Sequence, residues 1–283
     1  MKRLLPLLLA LLLLSACGGS NADGPVTDED VELMVFAAAS LQESLTEAGE
    51  RYREDHPNVT LVFNFDSSGT LKTQIEEGAA CDLFISAGQK QMDQLDAAVA
   101  PAVNTDAPEE ARAEELDLVL SDTRINLLEN KVVLAVPEGN PADLHSFDDL
   151  KAALEAGEIL LAIGNEDVPV GQYTQEIFAY YGLDEAALNA AGVLTYGSNV
   201  KEVTTQVSEG TVDCGVIYAT DAFSAGLETV DAATADMCGR VIYPAAVMKN
   251  SADQGLALDF LTWLGAANGG GPVFEAVGFT GIN

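Results

Sequence analysis

Basic residues are scarce in this chain: 13 Lys and Arg stand against 45 Asp and Glu in 283 residues, for a formal net charge of −32. A nucleic-acid-binding surface needs clustered cations to neutralise phosphates, so that class of partner is excluded. Histidine is nearly absent too. His56 precedes Pro57 and His145 lies in a polar stretch, so no Ser-His or Cys-His pairing for nucleophilic catalysis is evident. No HExxH, P-loop or zinc-ligand spacing occurs either. Together these absences argue against an enzyme. The four cysteines, Cys17, Cys81, Cys214 and Cys238, contain no CxxC pair. Outside the cell a Cys214–Cys238 bridge could form and leave Cys81 single; the sequence leaves that pairing open. Long apolar runs are missing everywhere except at the N-terminus.

There, Lys2 and Arg3 precede an apolar stretch from Leu4 to Leu14, followed by Leu14-Ser15-Ala16-Cys17. Eleven residues are too few for a permanent membrane helix, so residues 1–17 read as a signal segment. The Leu-Ser-Ala-Cys tetrapeptide resembles the bacterial lipobox, which implies that Cys17 becomes the first mature residue and carries a lipid. Residues 18–30 (GGSNADGPVTDED) are small, polar and acidic, as in a flexible tether.

From Glu32 onward short apolar runs alternate with helical spacing, which predicts an α/β fold with largely parallel, buried strands. Strands are expected at Leu33–Ala39, Val59–Phe65, Leu83–Ala87, Val132–Val136, Ile159–Ile163, Cys214–Tyr218 and Val241–Met248, the last interrupted at Pro244. Helices are expected after Leu41, around Leu71 and Ile75, and over 147–156 behind a Ser146 cap. Others follow around Tyr173, Ile177 and Tyr180, around Val203 and Val207, and from Leu256 to Leu264. Residues 97–121, rich in Ala, Asp, Glu and Pro, read as a surface excursion rather than core. At 283 residues the chain suffices for two modest lobes.

Four junctions share one design, in which a buried strand ends in small or polar residues and a helix begins at once. They are Ala37-Ala38-Ala39-Ser40-Leu41, Asp66-Ser67-Ser68-Gly69-Thr70, Val168-Pro169-Val170-Gly171-Gln172 and Gly197-Ser198-Asn199-Val200. The first turn of a helix leaves N–H groups unpaired, and the macrodipole makes that end positive. In open α/β sheets such turns gather beyond the carboxyl ends of the strands. Converging there, they would form an anion site built from neutral donors. Taken singly, Ser40, Ser68 and Asn199 read equally well as ordinary helix caps.

The blocks VFAAASLQESL, FDSSGTLKTQIEEGAACDLFISAGQKQMDQL, VPVGQY and GVIYATDA, in this order, resemble the molybdate-binding proteins of ABC importers. The resemblance runs from about Leu33 to Asn283 with a gap at 97–121. It implies a two-lobed periplasmic-binding-protein fold, each lobe a mostly parallel sheet flanked by helices, with two chain crossings as the hinge. Lobe I would comprise 31–125 and 245–283, and lobe II 126–244. The ligand would be molybdate or tungstate, with sulfate or another tetrahedral oxyanion as the alternative, bound without a cation or cofactor. By position, Ser40 and Ser68 would donate through hydroxyl and backbone N–H, Val170 and Val200 through backbone N–H, and Tyr218 through its phenol. The implied partners are an ABC permease with its ATPase, and a monomer held at the outer face of the membrane is expected. Gly69 stands where a third serine can occur, which is expected to loosen that junction. Lys201 is expected on a solvated helix side, and Asp66 is expected to point away from the anion, because a buried charge facing a dianion is costly. Tyr196, Tyr218 and Tyr243 could also be read as tyrosinates of an iron site, but core tyrosines with bonded hydroxyls are the better reading.

Overall fold

The computed structural model describes residues 30–99 and 117–282. The signal segment with Cys17, the tether up to residue 29 and the acidic residues 100–116 lie outside the described residues.

In chain order the first part holds β1 (Val31–Ala38), a 3-10 turn (Ala39–Leu41), α1 (Gln42–Asp55), β2 (Val59–Asp66), α2 (Ser68–Glu76), β3 (Leu83–Ile85), α3 (Gln89–Leu95) and β4 (Ile125–Asn130). The middle holds β5 (Val132–Val136), α4 (Phe147–Ala156), β6 (Leu161–Gly164), α5 (Pro169–Tyr181), α6 (Glu185–Ala190) and β7 (Leu194–Gly197). It continues with α7 (Val200–Ser208), β8 (Cys214–Tyr218), α8 (Ala219–Ala225), β9 (Glu228–Ala232) and α9 (Ala235–Cys238). The return holds β10 (Val241–Val247), α10 (Gln254–Gly265), α11 (Gly271–Ala276) and β11 (Thr280–Gly281).

These strands form two sheets, ordered β11-β4-β10-β3-β1-β2 and β7-β6-β8-β5-β9, so the chain has the two-lobed architecture. Each sheet is mixed rather than mostly parallel. β1 runs parallel to β2 and β3, and β6 runs parallel to β7 and β8. The strands nearest the crossings are antiparallel: β10 against β3 and β4, and β5 against β8 and β9. Lys131 alone separates β4 of the first sheet from β5 of the second, and the chain returns to the first sheet at β10. The expected crossing points at 125/126 and 244/245 thus fall at the start of β4 and within β10. Pro244 lacks an N–H, and the register between β10 and β4 shifts between Tyr243 and Pro244.

The first sheet is buried on both faces. Along β1, Leu33, Val35 and Ala37 enter one apolar cluster while Phe36 enters another beneath α2 and α3 with Leu71, Ile75, Phe84 and Met92. Two-sided burial explains why these strands read as continuous apolar runs in the sequence. Ser146 caps α4 as expected, its hydroxyl accepting the Asp149 N–H at 3.1 Å.

One expectation requires correction, and one pairing that the sequence left open is decided. The acidic excursion is tied into the core at its far end: Val119 is fully buried and bridges Met248, and the Leu118 N–H donates to the Leu95 carbonyl. Cys81, Cys214 and Cys238 are buried free thiols. Cys214 opens β8, whereas Cys238 lies near Tyr218 at the other end of that strand. Four strand residues span about 13 Å, beyond the Cα separation that a disulfide tolerates.

Candidate functional site

All four junctions contribute residues to the wall of one small cavity between the lobes. The first sheet contributes Ala38, Ala39 and Ser40 after β1, Asp66, Ser67 and Ser68 at the start of α2, and Ala87 after β3. The second contributes Val168 and Pro169 at the start of α5, Val200 at the start of α7, and Tyr218 at the end of β8. Of the five expected ligand residues, Ser40, Ser68, Val200 and Tyr218 therefore line the cavity. Val170 does not; it is the second residue of α5, fully buried behind Val168 and Pro169. Proline suits the first helical position because its missing N–H has no intrahelical partner there.

Caps and free donors prove to be different residues. Ser67, not Ser68, caps α2: its hydroxyl accepts the Thr70 N–H at 3.1 Å. Asn199 caps α7 by accepting the Glu202 N–H at 3.1 Å, as the helix-cap reading has it. Ser40 sits inside the 3-10 turn and caps nothing. The backbone N–H groups of Ser40, Ser68, Val170 and Val200 meet no acceptor among the described residues. Ser68 Oγ accepts the Ala87 N–H at 2.9 Å, which turns its own proton away from that bond. Ser40 Oγ lies 2.9 Å from the Tyr243 hydroxyl.

Tyr218 is fully buried, and its hydroxyl has no hydrogen-bond partner among the described residues. Burial, with Tyr243, Tyr173 and Asp221 nearby, pushes that phenol well above its usual pKa, so it is a neutral donor. A buried hydroxyl left unpaired costs roughly 1–3 kcal/mol, a debt that a bound acceptor would remove.

Among the described residues, no lysine or arginine stands in the cavity wall. Asp66 does stand there, against expectation, with one carboxylate oxygen engaged by the Ser67 N–H at 2.7 Å. Lys201 is not on a solvated helix side. Its ammonium reaches Glu43 of α1 at 2.7 Å and the fully buried Asp221 at 2.9 Å. Burial works to lower the Lys201 pKa, but Asp221 and Glu43 outweigh it and hold the ammonium above its usual value. Burial pushes the Asp221 carboxyl up to about 6 despite Lys201. This cation is paired with Glu43 and the buried Asp221, and Lys201 is not among the cavity-wall residues.

The lobes touch closely around the cavity. Besides Lys201–Glu43, the Asn199 amide donates to Asp66 at 3.4 Å and the Gln91 amide to Gln172 at 3.2 Å. Gly69 does not loosen its junction but permits this approach: a Cβ there would stand 2.2 Å from the Asp167 carbonyl oxygen. Sequence reasoning placed Tyr243 in the core but missed its bond to Ser40, a partner 203 residues away, and missed Ala87. Only the small residues Ser86, Ala87 and Gly88 that follow β3 hinted at the latter. His56 stacks on Tyr52 and His145 is exposed beside Asp143, both away from the cavity wall.

Known proteins share this chain's pattern over nearly its whole length. YvgL of Bacillus subtilis, named as an ABC transporter substrate-binding lipoprotein, is 32% identical over 275 residues, covering 96% of this chain and 95% of its own. The molybdate-binding protein ModA of Mycobacterium tuberculosis is 30% identical, covering 90% and 88%. A solved substrate-binding domain assigned to a molybdenum ABC transporter of Clostridium difficile is 31% identical, with a TM-score of 0.62 over 89% of this chain and 99% of its own. Residues 33–280 match the model of the bacterial extracellular solute-binding proteins, so this two-lobed α/β chain belongs to that extracytoplasmic family.

Proposed function

We propose that this chain captures molybdate or tungstate in the interlobe cleft through neutral hydrogen-bond donors and delivers it to an ABC permease driven by its ATPase. The observation that carries this reading is the Tyr218 hydroxyl, fully buried and unpartnered in the wall of a cavity shared with Ser40, Ser68 and Val200. Apart from Asp66, whose carboxylate is engaged by the Ser67 N–H, the polar groups of these wall residues can donate: the Ser40 and Ser68 hydroxyls, the Tyr218 phenol, and the N–H groups of Ser40, Ser68 and Val200. Molybdate, tungstate and sulfate carry no proton at neutral pH and need only donors. The net charge of −32 opposes an anion only at long range, where salt screens it within about 8–10 Å. Local hydrogen bonds to a charged ligand, about 1.5–3 kcal/mol each, dominate. The 30% identity to a molybdate-binding protein supports the same ligand.

The test is calorimetric titration of the chain from residue 18 with molybdate, tungstate, sulfate and phosphate. A site of rigid backbone donors cannot shrink to follow a smaller ion, so sulfate should bind far more weakly than molybdate. Sulfate binding as tightly would reassign the ligand to the smaller oxyanion. At 100-fold excess over Kd, molybdate should stabilise the fold by about 2.7 kcal/mol.

The same proposal places the chain on the membrane as a monomer through a lipid on Cys17, in keeping with the name of the Bacillus subtilis lipoprotein. Cys17→Ala should abolish lipidation; unchanged detergent-extractable membrane association in that variant would refute the anchor.

A further inference from the structure

A buried chain of hydrogen bonds runs from the crossing between the lobes to Ser40. Asn130, the last residue of β4, is 5% exposed. Its side-chain oxygen Oδ1 accepts the Lys131 N–H at 2.8 Å, which fixes the amide so that Nδ2 faces inward. Both Nδ2 protons are then used: one donates to Thr220 Oγ1 at 2.9 Å, the other to the Tyr243 hydroxyl at 3.2 Å. Tyr243 is fully buried, and burial, with Asp221 nearby, raises its pKa well above the usual phenol value against the lowering pull of Ser40 and Asn130. It therefore keeps its single proton. With Asn130 donating to its oxygen, the one acceptor left for that proton is Ser40 Oγ at 2.9 Å. Ser40 accepts it, and its own proton has no acceptor in the protein among the described residues; Ser40 stands in the cavity wall. The polarity runs one way, from Asn130 to Tyr243 to Ser40 and into the cleft.

Resting on the cleft reading above, we propose that Tyr243 and Asn130 are positioning residues that fix Ser40 as a donor and thereby set the site against protonated oxyanions. A free serine hydroxyl can donate or accept, so on its own it would accommodate the O–H of monohydrogen phosphate. A serine already accepting from Tyr243 presents a proton to that O–H, and two protons then face one another. The same Asn130 amide also ties Thr220, two residues after Tyr218. Buried networks of this kind polarise in one direction and specify orientation.

Tyr243→Phe keeps the ring and removes the relay. Ser40 is then free to rotate, so molybdate affinity should fall about 10-fold, phosphate affinity should rise, and the molybdate-to-phosphate ratio should drop by more than 10-fold. Asn130→Asp should go further: its carboxylate accepts the Tyr243 O–H hydrogen bond, Ser40 donates to the Tyr243 oxygen, and a lone pair faces the ligand, weakening molybdate by about 100-fold. Melting temperatures without ligand report whether each variant is folded, and Tyr243→Phe stands as the test if Asn130→Asp is not. Ser40→Ala serves as the reference. If Ser40→Ala weakens molybdate but Tyr243→Phe retains the parent's molybdate-to-phosphate ratio, the positioning role is wrong and the cleft reading stands. If Ser40→Ala binds molybdate as tightly as the parent, the cleft reading itself fails.

Discussion

Gly69→Ala should raise the stability of the ligand-free protein and weaken its ligand. Gly69 is the second residue of α2 and has an ordinary helical backbone, so alanine is tolerated and, in a helix, preferred by about 0.5–1 kcal/mol. In the ligand-free form, where the lobes can part, that gain should appear as a rise of about 1–4 °C in Tm. In the closed form the new Cβ would stand 2.2 Å from the Asp167 carbonyl oxygen and 3.0 Å from the Asp167 Cβ. The oxygen belongs to backbone and cannot rotate away. Two responses are open. The lobes can stay shut and absorb the overlap, at about 1–3 kcal/mol. They can instead part by about 1 Å, which takes a 2.9 Å hydrogen bond out of range and forfeits about 1.5–3 kcal/mol for each donor lost. The cheaper response sets the outcome, so molybdate affinity should fall about 10- to 100-fold. Calorimetric titration reads the affinity and a thermal melt reads the stability. A Gly69→Ala protein with the parent's affinity would show that the lobes never approach this closely around the ligand, and the reasoning would fail.

Three further outcomes follow from the same geometry. Val200 is the first residue of α7, where proline is tolerated, so Val200→Pro should fold, yet lose one N–H donor and about 10- to 150-fold in affinity; parent-like binding would reduce this helix end to a cap. Glu43→Gln removes the Lys201 contact between lobes while keeping the Asp221 pair; because Glu43 is half exposed the loss should be under about 1 kcal/mol and should shrink with added salt, as titrations at two ionic strengths would reveal. Asp221 has its folded pKa raised to about 6 from 3.8, so its ionised form burdens the fold above pH 6 and that burden is relieved as pH falls toward 4. Between pH 7 and pH 5 the parent should therefore gain about 1 kcal/mol relative to Asp221→Asn, and parallel denaturation curves at the two pH values would contradict it.

The sequence alone determined what depends on neighbours along the chain. Two-sided burial forces continuous apolar runs, so β5 and β8 are legible at Val132–Val136 and Cys214–Tyr218 to the residue. The helix start behind Ser146 is equally plain, since a cap acts over three residues. β4, β7 and β9 were not legible; their burial is partial or interrupted, and β9 has no fully buried residue. The four strand–helix junctions could be counted from the sequence, but not their meeting point. That Ser67 rather than Ser68 caps α2, that Lys201 answers a buried Asp221 instead of solvent, and that Gly69 admits the opposite lobe depend on packing between distant segments. So does the direction of the Ser40 proton, set by Tyr243 and Asn130 from 203 and 90 residues away. A hydroxyl's proton points wherever its surroundings leave an acceptor, and in a two-lobed fold those surroundings are assembled from both ends of the chain.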